Sequence, residues 1–228
     1  MPTLYIANKN YSSWSLRPWV LLRELGIPFE EKLMPFHGAA FAGFSPSGKV
    51  PCFVDGDVTV WDSLAITEYL AEAHPGVWPT GRTARAFARC AAAEMHSGFM
   101  ALRAQCGMNC GVRVKLDRID EALQRDLARL NALWNDGLQR FGGPFLAGSA
   151  FTAADAFFAP VAFRIQTYAP PLDATANAYA QRLLTLPSMQ DWYQAALAET
   201  WRHAAHESEL TGWGTVTEDL RAAAGRRA

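Results

Sequence analysis

The spacing of apolar residues changes character near residue 78. Before it, short apolar runs alternate with helical spacing; after it, only the helical spacing continues. Leu4-Tyr5-Ile6-Ala7, closed by the polar Asn8-Lys9-Asn10, reads as a buried strand. Leu16, Val20, Leu22 and Leu25 then recur at helical spacing, with Pro18 expected in the first turn, where its missing N–H does no harm, and Gly26-Ile27-Pro28 as a stop. Residues 29–33 read as a second strand, so this segment predicts a βαβ unit. Residues 36–48 read as loop with one short helix, broken at Ser45-Pro46-Ser47-Gly48. Val50-Pro51-Cys52-Phe53-Val54 and Val58-Thr59-Val60-Trp61 flank Asp55-Gly56-Asp57, and Asp-Gly between apolar runs is a hairpin signal. Asp62-Ser63 opens a helix with apolar positions at Leu64, Ile66, Tyr69 and Leu70, and His74-Pro75-Gly76 ends it.

Pro79-Thr80-Gly81 separates this segment from a stretch with no convincing strand. An Ala-rich helix is expected from 82 to about 107, and a second long one along Leu116, Ile119, Leu123, Leu127, Leu130, Trp134 and Leu138, stopped by Gly142-Gly143-Pro144. Thr152-Ala153-Ala154-Asp155 has the spacing of a capping box ahead of the apolar run 156–165, which predicts a largely buried helix. Two more helices are expected near 177–184 and 188–200. The tail from Trp201 shows no period, and 222–227 reads as frayed. The expected architecture is an α/β unit with a four-stranded mixed sheet in βαβ-ββα order over residues 1–78, a linker at 79–84, and an all-helical unit over 85–228.

Half of the 228 residues are apolar, enough to bury a substantial core. With a net charge of −1 and no basic cluster longer than Arg226-Arg227, the chain lacks the electrostatic footprint of a nucleic-acid or anionic-membrane binder. No window reaches the ~18 apolar residues of a membrane span, and the first residues lack the basic-then-apolar pattern of a leader, so a cytoplasmic protein is expected. Cys52, Cys90, Cys106 and Cys110 are too few for a disulfide scaffold and are expected as reduced thiols. Cys106 and Cys110 could share one helix face, but only His96 is near them in sequence and no metal site is expected.

The candidate chemistry lies in Tyr11-Ser12-Ser13-Trp14-Ser15-Leu16-Arg17-Pro18-Trp19, which joins the first strand to the first helix. A helix N-terminus carries about half a positive charge and several N–H groups without intrahelical partners, so hydroxyls crowded there can help hold an anion. The same serines also suit simple helix capping.

In order and distance, this serine cluster, Val50-Pro51, Asp62-Ser63 and Thr152-x-x-Asp155 together resemble the cytosolic glutathione transferases over nearly the whole chain. The serine stretch is most similar to the serine-type classes, especially the zeta-like pattern Ser-Ser-Cys-Ser-x-Arg. The resemblance implies a thioredoxin-like N-terminal domain, a helical C-terminal domain and a homodimer. Glutathione would be a co-substrate, with no permanently bound cofactor. It implies a cis Pro51 that presents Val50 to the cysteinyl part of glutathione in the manner of an added strand. Asp62 would meet the γ-glutamyl ammonium, Ser63 and its helix N-terminus the γ-glutamyl carboxylate, and Lys49 the glutathione backbone or glycyl carboxylate, with His37 as a further contact at the glycyl end. Thr152 and Asp155 would serve folding.

Glutathione brings its own nucleophile, so the protein's task is to make thiolate abundant and to aim it. A thiol with a pKa of about 8.5 is only a few per cent ionised at pH 7. By alignment Ser12 is the first candidate for the stabilising hydroxyl and Ser13 the second, since a one-residue shift would exchange them. Arg17, where the pattern has its arginine, is expected in a structural ion pair. Trp14 replaces the Cys of the zeta-like pattern and speaks against zeta-type isomerisation. A permissive apolar pocket for a small hydrophobic electrophile is expected between this loop and the first long helix, with Tyr11, Trp14, His96, Phe99, Met100 and Arg103; core packing is an equal reading for Phe99. The leading activity is conjugation of glutathione to a small apolar electrophile. Glutathione-dependent isomerisation, as in maleylacetoacetate isomerases, peroxide reduction, and a non-catalytic glutathione-fold binding protein are the alternatives.

Overall fold

A computed structural model describes residues 1–36 and 39–223. The first half runs β1 (Thr3–Ile6), α1 (Ser13–Glu24), β2 (Glu30–Leu33), a short 3-10 turn (Ala39–Gly43), β3 (Cys52–Asp55), β4 (Val58–Trp61) and α2 (Ser63–Ala73). The strands form one sheet in the order β2-β1-β3-β4. β1 and β2 are parallel across the helical crossover, while β3 runs antiparallel to both β1 and β4. The βαβ-ββα expectation is met, and the Asp55-Gly56 turn joins β3 to β4 with Gly56 at φ 61°. α1 begins earlier than the apolar spacing suggested, so Pro18 lies in its second turn rather than its first.

The second half comprises α3 (Arg82–Ser97), α4 (Met100–Gln105), β5 (Val112–Leu116), α5 (Glu121–Phe141), α6 (Ala153–Tyr168), α7 (Ala174–Leu184), α8 (Pro187–Ala198), α9 (Ala204–Thr211) and β6 (Gly214–Asp219). Three expectations need correction. The helix expected from 82 to about 107 is two helices, because the chain turns at Gly98 and Phe99. A Cβ at Gly98 would sit 2.8 Å from the Glu94 carbonyl oxygen, and Phe99 is left-handed at φ 54°. Residues Val112-Arg113-Val114-Lys115-Leu116, partly absorbed into a helical reading, alternate apolar and polar and form a strand with Val112 and Val114 buried. The unperiodic tail supplies its partner: β6 pairs antiparallel with β5, and a Cβ at Gly214 would lie 2.4 Å from the Lys115 carbonyl oxygen, so only glycine permits that approach. Cys106 ends α4 and Cys110 precedes β5, so they share no helix face. The expected fraying at 222–227 falls mostly outside the described residues.

α6 holds the two halves together. It is apolar nearly all round, as a fully enclosed helix must be, and packs on α1, α3, α7 and β5. Its start is fixed by Asp155, buried without exposed surface. One carboxylate oxygen accepts from the Thr152 N–H at 2.9 Å and the Thr152 hydroxyl at 3.1 Å; the other accepts from the Leu146 N–H at 3.0 Å and the Tyr179 hydroxyl at 2.8 Å. The capping role expected of this pair is thus extended to a four-donor hub.

Asp155→Ala strands those donors in an enclosed site and should destabilise the fold by about 3 kcal/mol or more, against about 1 kcal/mol for Thr152→Ala. Urea unfolding of the two variants tests this; equal costs would show that the hub adds nothing to the cap.

Candidate active site

The loop from Ala7 to Ser12 has no strand partner, so its backbone groups must be satisfied elsewhere. The Tyr11 and Ser12 N–H groups turn back to the Asn8 carbonyl, and those of Lys9 and Asn10 are met from the far end of the chain. The Glu199 carboxylate, at the end of α8, accepts the Lys9 N–H at 2.6 Å and the Asn10 N–H at 3.3 Å, and the Asn10 side-chain amide donates to the Ala196 carbonyl at 2.5 Å. The Lys9 carbonyl in turn accepts from the Trp192 indole at 2.9 Å. The Lys9 ammonium, itself buried, pairs with Glu31 at 2.8 Å and lies over the Trp19 and Trp192 rings. Burial pushes the Glu199 carboxyl up, and the hydrogen bonds from Lys9 and Asn10 oppose that shift.

This clamp delivers Ser12 to the N-cap of α1 and Ser13 to its first turn. The Ser12 hydroxyl is buried and donates to Ser15 Oγ at 2.6 Å, which also accepts the Ala7 N–H at 3.2 Å. Ser13 is half-buried, and its hydroxyl has no protein partner among the described residues. Both serines line a cavity of about 480 Å³ that reaches α4, α6 and α9. A second cavity of about 400 Å³ adjoins it, bounded by Pro51, Trp61, Asp62 and Ser63. Trp14, Lys49 and Val50 line both, so the two form one bent trough folded around the Trp14 indole.

At the second cavity, the Val50-Pro51 peptide is cis and Val50 lies just outside the β1–β3 ladder, which ends at Tyr5 and Cys52. Asp62 caps α2 from a left-handed backbone at φ 76°, its carboxylate accepting the Leu64 N–H at 2.8 Å. A non-glycine residue in that region carries strain of order 1 kcal/mol. The Ser63 hydroxyl is buried without a protein hydrogen bond. Lys49 is exposed at the rim. His37 lies outside the described residues.

The expected electrophile residues divide. Tyr11, Trp14, Met100 and Arg103 line the larger cavity. Phe99 does not: its left-handed turn sends the ring into the core against Phe158. His96 stands behind the wall, edge-on to Trp14 with centroids 5.3 Å apart and Nε2 3.5 Å from Asp62. Burial pushes its pKa down and Asp62 only partly opposes that. Arg17, expected in an ion pair, has none among the described residues. It is 2 % exposed, its guanidinium lies over the Trp14 ring at 4.2 Å and the Phe157 ring at 4.8 Å, and burial beside Arg103 and Arg164 lowers its pKa to about 9.

Sequence reasoning missed Arg164, Met108, Phe36, Phe41, His206 and Glu209, which complete the larger cavity. Arg164 carried a readable signal, as the single charge in the apolar stretch of α6. The α9 residues carried none, because no period marked their helix. Their segment is tied to the serine loop: the Tyr11 hydroxyl donates to Glu207 at 2.6 Å, and Arg221 joins Glu207 to Asp219. Burial and then the Glu207 contact raise the Tyr11 pKa, so its hydroxyl keeps its proton.

Residues 11–73 match the N-terminal domain of glutathione S-transferases and residues 113–204 their C-terminal domain. The chain belongs to the glutathione S-transferase family. It is 26 % identical over 184 residues to a glutathione S-transferase-like protein of Beauveria bassiana, covering 75 % of this chain and 82 % of that one. To a zeta-class glutathione S-transferase of Euphorbia esula it is 29 % identical over 171 residues, 70 % and 74 % of the two chains. Among solved structures it superposes on a glutathione transferase homolog from Burkholderia gl BGR1 with bound glutathione, with a TM-score of 0.65 and 26 % identity, over 86 % of this chain and 97 % of that one.

Glu199→Ala removes the acceptor for two backbone N–H groups and should cost about 2–4 kcal/mol in urea unfolding. Glutathione affinity, by calorimetry at a temperature where the variant remains folded, should fall with it. An unchanged affinity would show that the serine loop holds its place without the clamp.

Proposed function

We propose that this protein conjugates glutathione to a small electrophile, holding glutathione along the bent trough. One observation carries the reading: the trough joins two helix N-termini, one bearing Ser12 and Ser13 and the other Asp62 and Ser63, past the backbone of Val50. The α2 end suits the γ-glutamyl group. Its carboxylate would meet Ser63 and the free N–H groups of the helix start, and its ammonium would meet Asp62. The cysteinyl unit would pair with Val50, and Lys49 at the rim would face the glycyl carboxylate. The thiol then falls at the start of α1.

Lowering the thiol pKa by about two units makes thiolate the majority form and needs roughly 2.7 kcal/mol. A charge-assisted hydrogen bond of about 1.5–3 kcal/mol with the helix N-terminus covers that. Ser12 is our choice of donor, and Ser15 explains how a hydroxyl already engaged can serve. When Ser12 turns its proton to sulfur, Ser15 can donate back to Ser12 Oγ while still accepting the Ala7 N–H, so that the chain of donors points at the anion. Ser13, whose hydroxyl is unheld, is the alternative. The thiolate sulfur attacks the electrophilic carbon, the C–S bond forms, and the leaving group departs with its electron pair or, in an addition, the adjacent atom takes up a proton. The homodimer also remains a proposal, supported by the exposed Val58, Trp61 and Ala65 along β4 and α2.

Ultraviolet difference titration of bound glutathione should show the thiol pKa rising by about one to two units in Ser12→Ala, by less in Ser15→Ala, and hardly at all in Ser13→Ala. A shift confined to Ser13→Ala would move the assignment by one residue, and no glutathione binding at millimolar concentration would sink the enzyme reading. Ala65→Glu, away from the trough, should convert a dimer to monomers in sedimentation equilibrium; a wild-type monomer would end the dimer proposal.

A further inference from the structure

The larger cavity has the apolar surface that the sequence suggested, and beside it a cationic side. Tyr11, Trp14, Met100 and Met108 supply apolar surface near the serines, but the far side is cationic. Arg103, on α4, lies over the Trp14 ring at 4.4 Å and donates to the His96 carbonyl at 3.2 Å. Arg164, on α6, is 5 % exposed and lines the same cavity. It donates to the carbonyls of Arg103 and Cys106 that end α4, and its Nε has no hydrogen-bond partner. Neither guanidinium forms an ion pair with any described residue. Glu209, the one carboxylate among the described residues of the cavity wall, forms an ion pair with neither, though its charge opposes part of the shift at Arg164. Burial pushes Arg17, Arg103 and Arg164 all down; neighbouring cations add to this at Arg17 and Arg164, where Asp62 and Glu209 respectively oppose part of it.

A wholly apolar ligand pressed against this wall would strip the water left to the half-buried Arg103 guanidinium and leave the buried Nε of Arg164 unmet, which is unfavourable. A carboxylate there would replace that water with charge-assisted bonds in a poorly screened site. We propose that the second substrate carries an anionic group, a carboxylate being the simplest, which Arg103 and Arg164 receive while its electrophilic carbon faces Trp14 and the serines. The proposal rests on the transferase reading for the identity of the reaction, but the anion site itself can be tested without any turnover.

The full chain is saturated with S-methylglutathione, which fills the glutathione trough and cannot react. Calorimetry then compares 4-methylbenzoate with 4-methylbenzamide, matched in shape and differing in charge. The benzoate should bind at least about tenfold more tightly, the advantage should disappear in Arg103→Met and return in Arg103→Lys, and added salt should weaken it. Arg164 is built into the end of α4, so Arg103 at the cavity surface is the informative position. Equal affinities, or an advantage that survives Arg103→Met, would overturn the proposal. So would benzoate binding that vanishes when S-methylglutathione is present, because the arginines would then serve glutathione's own carboxylate. Should S-methylglutathione itself not bind, the transferase reading fails, while the benzoate and benzamide comparison on the unliganded chain still decides the anion site.

Discussion

Everything at the site hangs on the grip of one carboxylate, that of Glu199, on the backbone between β1 and α1. A loop without a ladder partner needs acceptors for its N–H groups, and a buried acceptor with charge is the strongest available. Because Glu199 ends α8, the position of Ser12 is set through Lys9 by a residue 190 positions further along the chain from Lys9. Lys9 gives the carboxylate's neighbourhood a countercharge, and Trp19 and Trp192 hold that ammonium through their ring faces. The serines are therefore positioned only once the second half has folded onto the first. α6, enclosed by α1, α3 and α7, supplies the apolar burial that makes that docking favourable.

The second organising feature is positive charge kept without an ion-pair partner among the described residues. Arg17 lies over Trp14 and Phe157, Arg103 lies over Trp14, and Arg164 is buried near both arginines; a guanidinium tolerates this better than an ammonium would. It is weakly hydrated, it stacks on aromatic faces, and its donors can be met by carbonyls. Arg164 does this at the end of α4, where carbonyl oxygens lacking intrahelical partners carry partial negative charge. Even with its pKa lowered to about 9, Arg17 stays protonated at neutral pH. The result is a field of fixed positive sign beside the start of α1, which favours an anion there.

The sheet and the residues that bound the smaller cavity were legible because each rests on local chemistry. The Asp55-Gly56 turn, the proline at 51 and the Asp62 cap are signals carried within a few residues. The electrophile side was legible only in part. Met100 and Arg103 were placed by helical spacing, but Phe99 left the pocket because Gly98 ends α3 and reverses the following turn. β5 alternates with period two over five residues, too short a run to stand against the long helical spacing that begins at its last residue, Leu116. β6 and α9 depend on pairing with β5 and with Tyr11, and such long-range contacts leave no period in the chain.

Several departures from local rule fall at this site. Asp62 holds a left-handed backbone, the Ser63 hydroxyl is unpaired, and Arg17 and Arg164 bury guanidinium nitrogens without acceptors. Each is unfavourable for folding by an amount of order 1 kcal/mol or more, offset by α6 and its Asp155 hub. The same departures favour binding. A polar group exposed to water must lose that water before it meets a ligand, and the net gain of its hydrogen bond is small. Ser63 and the arginines have already lost most of theirs when the chain folds. A ligand that supplies acceptors in the right places then gains more of the gross interaction, and one that supplies none gains little, so selectivity for anionic groups is built in at folding.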